Sequence, residues 1–146
     1  MSDTQFAAQA MEVNMAELEL GRLALQRGDA SAKQIAQMMI QDHSEMNSQL
    51  EPIAEKIGVA APTQLSSADR TLLASLKNKS GKQFDRAYLQ AVLVESHADL
   101  SAYTNEERIG KDLTLKNLAA NDAHLTMIHL QTIERIAGTD PLMHGR

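Results

Sequence analysis

Four long stretches of the chain begin and end with residues that are typical of the two ends of an α-helix. These capping and terminating residues restrict the fold to an all-α class. Ser2 and Gln5 have the spacing of a capping box at the start of the first stretch, and Gly28 follows its end. Ser80 and Gln83 have the same spacing ahead of the third. No run of alternating β-branched residues indicates a strand. The sequence predicts helices over about 3–27, 29–58, 66–77, 80–110 and 112–138.

The lengths of the connections predict how these helices are arranged. Short turns join the first long helix to the second and the third to the last, so each pair should be antiparallel. The segment from Gly58 to Gly81 is long enough to cross the whole bundle, and it contains the short helix. We therefore expect an all-α, ferritin-like four-helix bundle with a long crossover containing a short fifth helix. The bundle forms one domain over 1–138, followed by a C-terminal tail over 139–146.

The residue types that are missing exclude several classes of protein. The chain of 146 residues has no Cys, which excludes disulfides, thiolate zinc sites, iron–sulfur clusters and cysteine nucleophiles. It has only 2 Phe, 2 Tyr and no Trp, and its formal net charge is -5, so no nucleic-acid partner is expected. No apolar run approaches the roughly 18 residues of a membrane-spanning helix. Any buried metal ion must therefore be held by His and carboxylate side chains.

Each long helix places ionisable residues on or beside the apolar face that should point into the core. They are Glu17 in the first helix, Asp42 and His43 in the second, Glu95 and His97 in the third, and Asp122 and His129 in the last. Most of them lie close to the middle of their helix, within roughly 4 Å along the axis. Buried charges without partners cost several kcal/mol each. Two solutions remain open: a bound metal ion, or a layer of hydrogen-bonded polar side chains.

The spacing of these residues disfavours a di-iron centre. Bundle proteins of that class carry Glu-x-x-His on two helices, because residues three apart can face one point. Glu95 and His97 are two apart, as are Asp122 and His124, which is a rotation of roughly 200° about the helix. A mononuclear site suits the sequence better, with zinc fitting the donors ahead of iron or copper. We predict the metal ligands Glu17, His43, His97 and His129, with Asp42, Glu95, Asp122 and His124 around them.

Known catalytic motifs are missing from the chain. It has no Gly-x-Ser-x-Gly, no P-loop and no His-Glu-x-x-His, and no catalytic or organic-cofactor residue is predicted. The sequence therefore favours metal binding or stress-related sequestration over turnover, without deciding whether the protein is an enzyme. The alternative is a non-enzymatic interaction module of the cell envelope, in which the buried polar layer is structural. A redox enzyme with two metals is a third, disfavoured interpretation. A protein partner and a homodimer are left open.

Several short motifs resemble those of a known bacterial family. They are Glu17-x-Glu19-Leu20-Gly21-x-Leu23-Ala24, Asp42-His43, Gly58-Val59 with Pro62, Ser80-Gly81-x-x-Phe84-Asp85-x-x-Tyr88 with His97, and His129-Leu130. Over about residues 4–137 the chain resembles the ferritin-like DUF4142 family of domains of unknown function. The resemblance implies a ferritin-like bundle without an established reaction, and it marks Glu17, His43, His97 and His129 as motif positions.

The same resemblance bears on where the protein is located. Members of the family are commonly exported, which implies the periplasm. The polar start of this chain does not read as a signal peptide. We therefore expect a periplasmic protein if a leader was removed, and a cytoplasmic one otherwise. The chain departs from the family at Ala123-His124, where Leu-Pro is frequent, and at Pro52, where we expect a kink or a restart of the second helix.

Overall fold

Five α-helices make up most of the computed structural model, which describes residues 1–139. They are α1 (Asp3–Arg27), α2 (Ala30–Lys56), α3 (Ser67–Lys77), α4 (Gly81–Ile109) and α5 (Leu113–Thr139). This part of the chain contains no strand. The all-α prediction is confirmed, with four long helices and a short fifth helix in the connection between α2 and α4. Apart from Thr139, the predicted tail over 139–146 lies outside the described residues.

The starts of α1 and α4 differ in how they are capped. At α1 the predicted capping box is present, because Gln5 N donates to Ser2 Oγ over 3.2 Å and Ser2 N donates to Gln5 Oε1 over 2.9 Å. At α4 the side chain of Ser80 makes no capping hydrogen bond, so the second predicted capping box is wrong. Gly81 has φ +55°, a left-handed conformation that glycine adopts without strain. The helix therefore begins after an irregular turn.

The second helix runs without a break through Pro52 and ends just before Gly58. Pro52 is exposed, and so is Ser48, whose carbonyl loses its helical donor and can be hydrated instead. No restart occurs. The end is set by Gly58, whose φ of +84° lets Val59 N donate to the Ala54 carbonyl over 2.9 Å. This closing turn explains why α2 stops two residues before the predicted position.

Contacts at the two ends of the bundle establish the direction of each helix. At one end Arg27 donates to the carbonyls of Lys77 and Lys79 over 2.7 and 3.0 Å. At the other end Asp3 accepts a hydrogen bond from Asp112 N over 2.8 Å. The start of α1 thus lies beside the turn between α4 and α5, and α1 runs antiparallel to α4. Consequently α2 and α4 run in the same direction, and the connection between them crosses the length of the bundle.

Buried polar side chains divide the core into two apolar halves. One half lies around Leu20, Ile35 and Tyr88, and the other around Phe6 and Leu50. The buried polar residues between them are Asn14, Glu17, His43, Ser96, Asp99, Asp122, Thr126 and His129. We call these eight residues the polar layer. It crosses the middle of the bundle, the depth at which the sequence predicted inward ionisable groups.

Asp3 and Glu106 share a hydrogen bond where α1 meets the turn between α4 and α5. Glu106 is 1% exposed, and burial together with this bond raises its pKa to about 7. The same bond lowers the pKa of Asp3. The pair therefore holds one proton near neutral pH, on Glu106, which donates to the Asp3 carboxylate.

This shared proton makes the stability of the fold depend on pH. The pKa of Glu106 is raised from its ordinary value of 4.5 to about 7. The protonated Glu106 therefore stabilises the fold fully below about pH 4.5, and this stabilisation is lost as pH rises through about 7. Glu106→Gln donates to Asp3 at every pH. At about pH 9 its free energy of unfolding should exceed that of the wild type by up to roughly 3 kcal/mol.

Urea unfolding in the presence of a chelator, at about pH 5 and about pH 9, measures this difference. The matched control is Glu107→Gln, since Glu107 is exposed on the same helix and its variant should follow the wild type. A Glu106→Gln protein with the same pH dependence as the wild type would show that Asp3 and Glu106 do not share a proton.

Candidate metal centre

Three buried side chains from three helices bring potential ligand atoms together within the polar layer. Glu17 of α1, His43 of α2 and Asp99 of α4 are 2%, 0% and 5% exposed. Each offers one ligand atom, and these atoms all lie within 4.8 Å of one another. Within residues 1–139, no other group of three or more His, Asp or Glu side chains converges in this way. One imidazole nitrogen and two carboxylate oxygens are donors that zinc and other divalent ions accept.

A chain of hydrogen bonds determines which nitrogen of His43 carries the proton. Asn47 Nδ2 donates to the carboxylate of Glu51 over 2.7 Å, which leaves Asn47 Oδ1 to accept from Asn14 Nδ2 over 3.2 Å. Asn14 Oδ1 must then accept from Nδ1 of His43 over 2.9 Å. Because a carboxylate only accepts, the direction of the whole chain follows from Glu51. His43 is therefore protonated on Nδ1, and Nε2 turns its lone pair toward the cluster.

That lone pair meets the carboxyl group of Glu17. Nε2 of His43 contacts Oε2 of Glu17, and neither atom has a hydrogen-bond partner. Two acceptor atoms can face each other only when a proton or a cation lies between them. Burial raises the pKa of Glu17 well above its usual range, to which the charges of Glu95 and Asp69 add, and burial lowers the pKa of His43. In the metal-free protein the proton therefore belongs to Glu17.

Three further polar atoms of the core are unsatisfied. Asp99 Oδ2, Ser96 Oγ and the hydroxyl of Tyr88 are buried without a hydrogen-bond partner. Burial, and after it the nearby Glu17, raises the pKa of Asp99 well above its usual range. Leaving a buried polar atom unpaired costs about 1–3 kcal/mol, and native structures contain only a few such atoms. Of these three residues Asp99 belongs to the converging group, so its unpaired oxygen marks the group as a candidate functional site.

A second histidine lies beside the cluster without joining it. His129 Nε2 donates to Asp42 Oδ2 over 2.6 Å, so Asp42 orients His129 and not its neighbour His43. The ring centroids of His43 and His129 are 5.6 Å apart. Nδ1 of His129 is buried without a partner. Asp122 is also buried, and burial raises its pKa to about 7. These residues adjoin the converging group but contribute no atom to it.

The structure corrects the predicted orientation of His97, whose side chain is exposed. The inward face of α4 follows Tyr88, Ser96, Asp99 and Tyr103. His97 lies two residues before Asp99, which turns it roughly 200° away around the helix. It therefore cannot reach Glu17 or His43 from this face.

The other predicted residues are placed as follows. Glu17, His43 and His129 are buried, as the helical spacing predicted. His124 is exposed on α5, so its side chain points away from the core. Glu95 is half-buried, and its charge raises the pKa of Glu17, which places it near the site.

Two residues of the site were missed by sequence reasoning, although both carry a signal. Asp99 follows Tyr88 through Val92 and Ser96 at spacings of four and three, the pattern of a helix face. Asn14 precedes Glu17 by three residues and thus shares its face. Asn14 and Asp99 each lie one residue beyond the apolar line of their helix, after Val13 and Ala98, so a search along those lines passes over both.

Comparison with family models gives a match over most of the chain. The profile of the family described as "Domain of unknown function (DUF4142)" matches residues 1–136, which include the whole polar layer. No curated protein and no solved structure matches the chain. Among the helices of residues 1–139, none is long and apolar enough to cross a membrane.

Proposed function

The chain belongs to the DUF4142 family of domains of unknown function, and we propose that it binds one divalent metal ion, zinc in first place, inside a ferritin-like bundle. The ligands are Glu17, His43 and Asp99. One observation carries this proposal: Nε2 of His43 and Oε2 of Glu17 face each other as two acceptor atoms, and no other group hydrogen-bonds to either of them. A cation between them takes the place of the Glu17 proton, and Asp99 supplies the third donor.

The hydrogen bonds around the cluster support the same function. Metal-bound histidines usually donate their second nitrogen to an oxygen acceptor, which sets the ring orientation and makes the ligand more basic. Asn14 accepts from His43 Nδ1 in this way. Zinc prefers four ligands, so three protein donors leave one position for a water molecule.

The second candidate function is the interaction module with a structural polar layer. It is favoured by the parts of the layer that are satisfied, such as the bonds from His43 to Asn14 and from His129 to Asp42. It leaves the unpaired Oε1 of Glu17 and Oδ2 of Asp99 unexplained, because a structural layer is stable only when every member is satisfied. Metal binding accounts for both sets of atoms.

The cellular role that we attach to this site is sequestration of the ion. The donors suit zinc ahead of iron and copper. A periplasmic location follows from the family resemblance if a leader is removed, and otherwise the cytoplasm. The first protein partner to test is a second copy of the chain, and light scattering would detect such a homodimer by its mass.

Metal content measured on protein purified without an affinity tag tests the proposal. After loading and gel filtration, we expect the wild type to retain about one zinc ion per chain. Removing the imidazole in His43→Ala should weaken zinc binding by about 100-fold or more. Mutating a residue that only hydrogen-bonds to a metal ligand already lowers metal affinity by about 10–100-fold. His97→Ala is the matched control, because it removes an exposed histidine and should bind like the wild type.

Two outcomes would contradict the proposal. The first is sub-stoichiometric metal in the wild type after loading with zinc, iron and copper in turn. The second is wild-type affinity in His43→Ala together with weaker binding in His97→Ala, which indicates adventitious binding at the surface. Thermal stability that responds to neither chelator nor added metal would favour the interaction module instead.

A further inference from the structure

The proposed ligands are buried, so an ion needs a path to reach them. One surface pocket, about 120 Å³ in volume, lies between α1 and α4 and is lined in part by Asp99. Most of its wall is apolar or small, formed by Phe6, Ala10, Val13, Ala98, Ala102 and Tyr103. A space of this size holds several water molecules. The pocket therefore connects solvent to one of the three ligands.

Asp99 is placed to receive an ion from this pocket. Its side chain belongs both to the pocket wall and to the converging group with Glu17 and His43. It is 5% exposed, and its Oδ2 atom has no hydrogen-bond partner. Neither Glu17 nor His43 lines the pocket, so Asp99 is the ligand that an ion in the pocket meets first.

We infer that the pocket between α1 and α4 is the passage by which the metal ion enters and leaves the site, with Asp99 as its first ligand. This inference rests on the proposed function. The ion exchanges its water molecules stepwise for protein donors, first the Asp99 carboxylate and then Glu17 and His43. The Glu17 proton leaves as the ion binds, since ligands coordinate in their deprotonated form.

A second cleft offers the rival route. It lies between α2 and α5, has a volume of about 270 Å³, and is lined by the acidic residues Asp42, Glu45 and Asp122. Its charge attracts cations. However, none of the three ligands lines it, and Asp42 is already engaged by His129. An ion in this cleft therefore contacts none of the three proposed ligands. For this reason we assign the passage to the pocket between α1 and α4.

The test uses substitutions that narrow each route separately, and it measures the rates at which zinc binds and dissociates. Ala98→Leu adds bulk at the exposed rim of the pocket, and Gln49→Leu adds bulk at an exposed position of the rival cleft. Ala74→Leu is the matched control, since Ala74 is exposed on α3 and lines neither space. Stopped-flow mixing of metal-free protein with zinc on a chromophoric chelator gives the association rate, and mixing of zinc-loaded protein with chelator gives the dissociation rate. Competition at equilibrium gives the affinity.

We expect Ala98→Leu to slow association and dissociation by about tenfold each, with affinity unchanged, because a narrower path raises only the barrier. Gln49→Leu and Ala74→Leu should match the wild type. Unchanged rates in Ala98→Leu would overturn the inference, as would slower exchange in Gln49→Leu alone. A wild type that binds no zinc at equilibrium would instead refute the proposed function, so the two failures are distinguishable. Circular dichroism and the equilibrium affinity show whether Ala98→Leu has kept its fold.

Discussion

Saturating zinc is expected to raise the midpoint of thermal unfolding of the metal-free protein by about 10 °C. The ligands Glu17, His43 and Asp99 come from three helices and converge only in the folded chain, so the ion binds the native state alone. Free zinc at about 100 to 1,000 times Kd stabilises by about 2.7–4.1 kcal/mol. For a chain of 146 residues, each kcal/mol shifts the midpoint by about 2–5 °C.

Differential scanning calorimetry with and without zinc measures this shift, and a chelator should reverse it. In His43→Ala the shift should fall to a small fraction of the wild-type value, while His97→Ala should retain all of it. Since His97 is exposed, this pair separates the buried site from surface binding. An equal shift in wild type and His43→Ala would place the zinc elsewhere.

The zinc-induced shift should also shrink in acid. Metal ligands bind as carboxylate and neutral imidazole, so protons compete with the ion. Burial raises the pKa of Glu17 and of Asp99, which makes this competition effective at higher pH than for ordinary carboxyl groups. We expect the shift at about pH 5 to be clearly smaller than at about pH 8.

The double variant Glu17→Gln/Asp99→Asn should be more stable than the metal-free wild type by about 1–4 kcal/mol at neutral pH and above. Both carboxyl groups have a folded-state pKa raised above the ordinary values of 4.5 and 3.8. The two protonated carboxyl groups therefore stabilise the fold fully below their ordinary pKa values. This stabilisation is lost as pH rises toward the pKa values that they have in the folded protein. The amides have nearly the same shape and no charge to bury. The new amide nitrogen at position 17 can donate to His43 Nε2.

Urea unfolding in chelator, at about pH 4 and about pH 8, measures the difference, which should be larger at the higher pH. The matched control is Glu55→Gln/Glu107→Gln, which neutralises two exposed carboxylates and should stay close to the wild type. Zinc should no longer raise the unfolding midpoint of Glu17→Gln/Asp99→Asn. A double variant less stable than the wild type in chelator would show that the carboxyl groups serve a structural polar layer.

These two predictions describe one property of the site. Buried carboxyl groups that destabilise the metal-free fold are retained by proteins when they serve a function, and removing them commonly increases stability at the expense of that function. The orphaned atoms of Glu17 and Asp99 mark where this cost is located. Metal binding offsets it.

The helices and their order could be predicted because their signals are local. Ser2 with Gln5 begins α1 and Gly58 ends α2 through hydrogen bonds within a few residues of each helix end. The depth of Glu17 and His43 was also predictable, since it depends only on the distance along each helix. Local signals failed at Ser80, where the expected cap is missing.

The sequence by itself determined the all-α fold, the long crossover, and the burial of Glu17, His43 and His129. Only the tertiary structure decided that Asp99, and not His97, completes the converging group, and that Asn14 sets the tautomer of His43. The physical reason is rotational. Adjacent faces of a helix are separated by only a fraction of a turn. Which face is buried in the core depends on how the other helices pack against it.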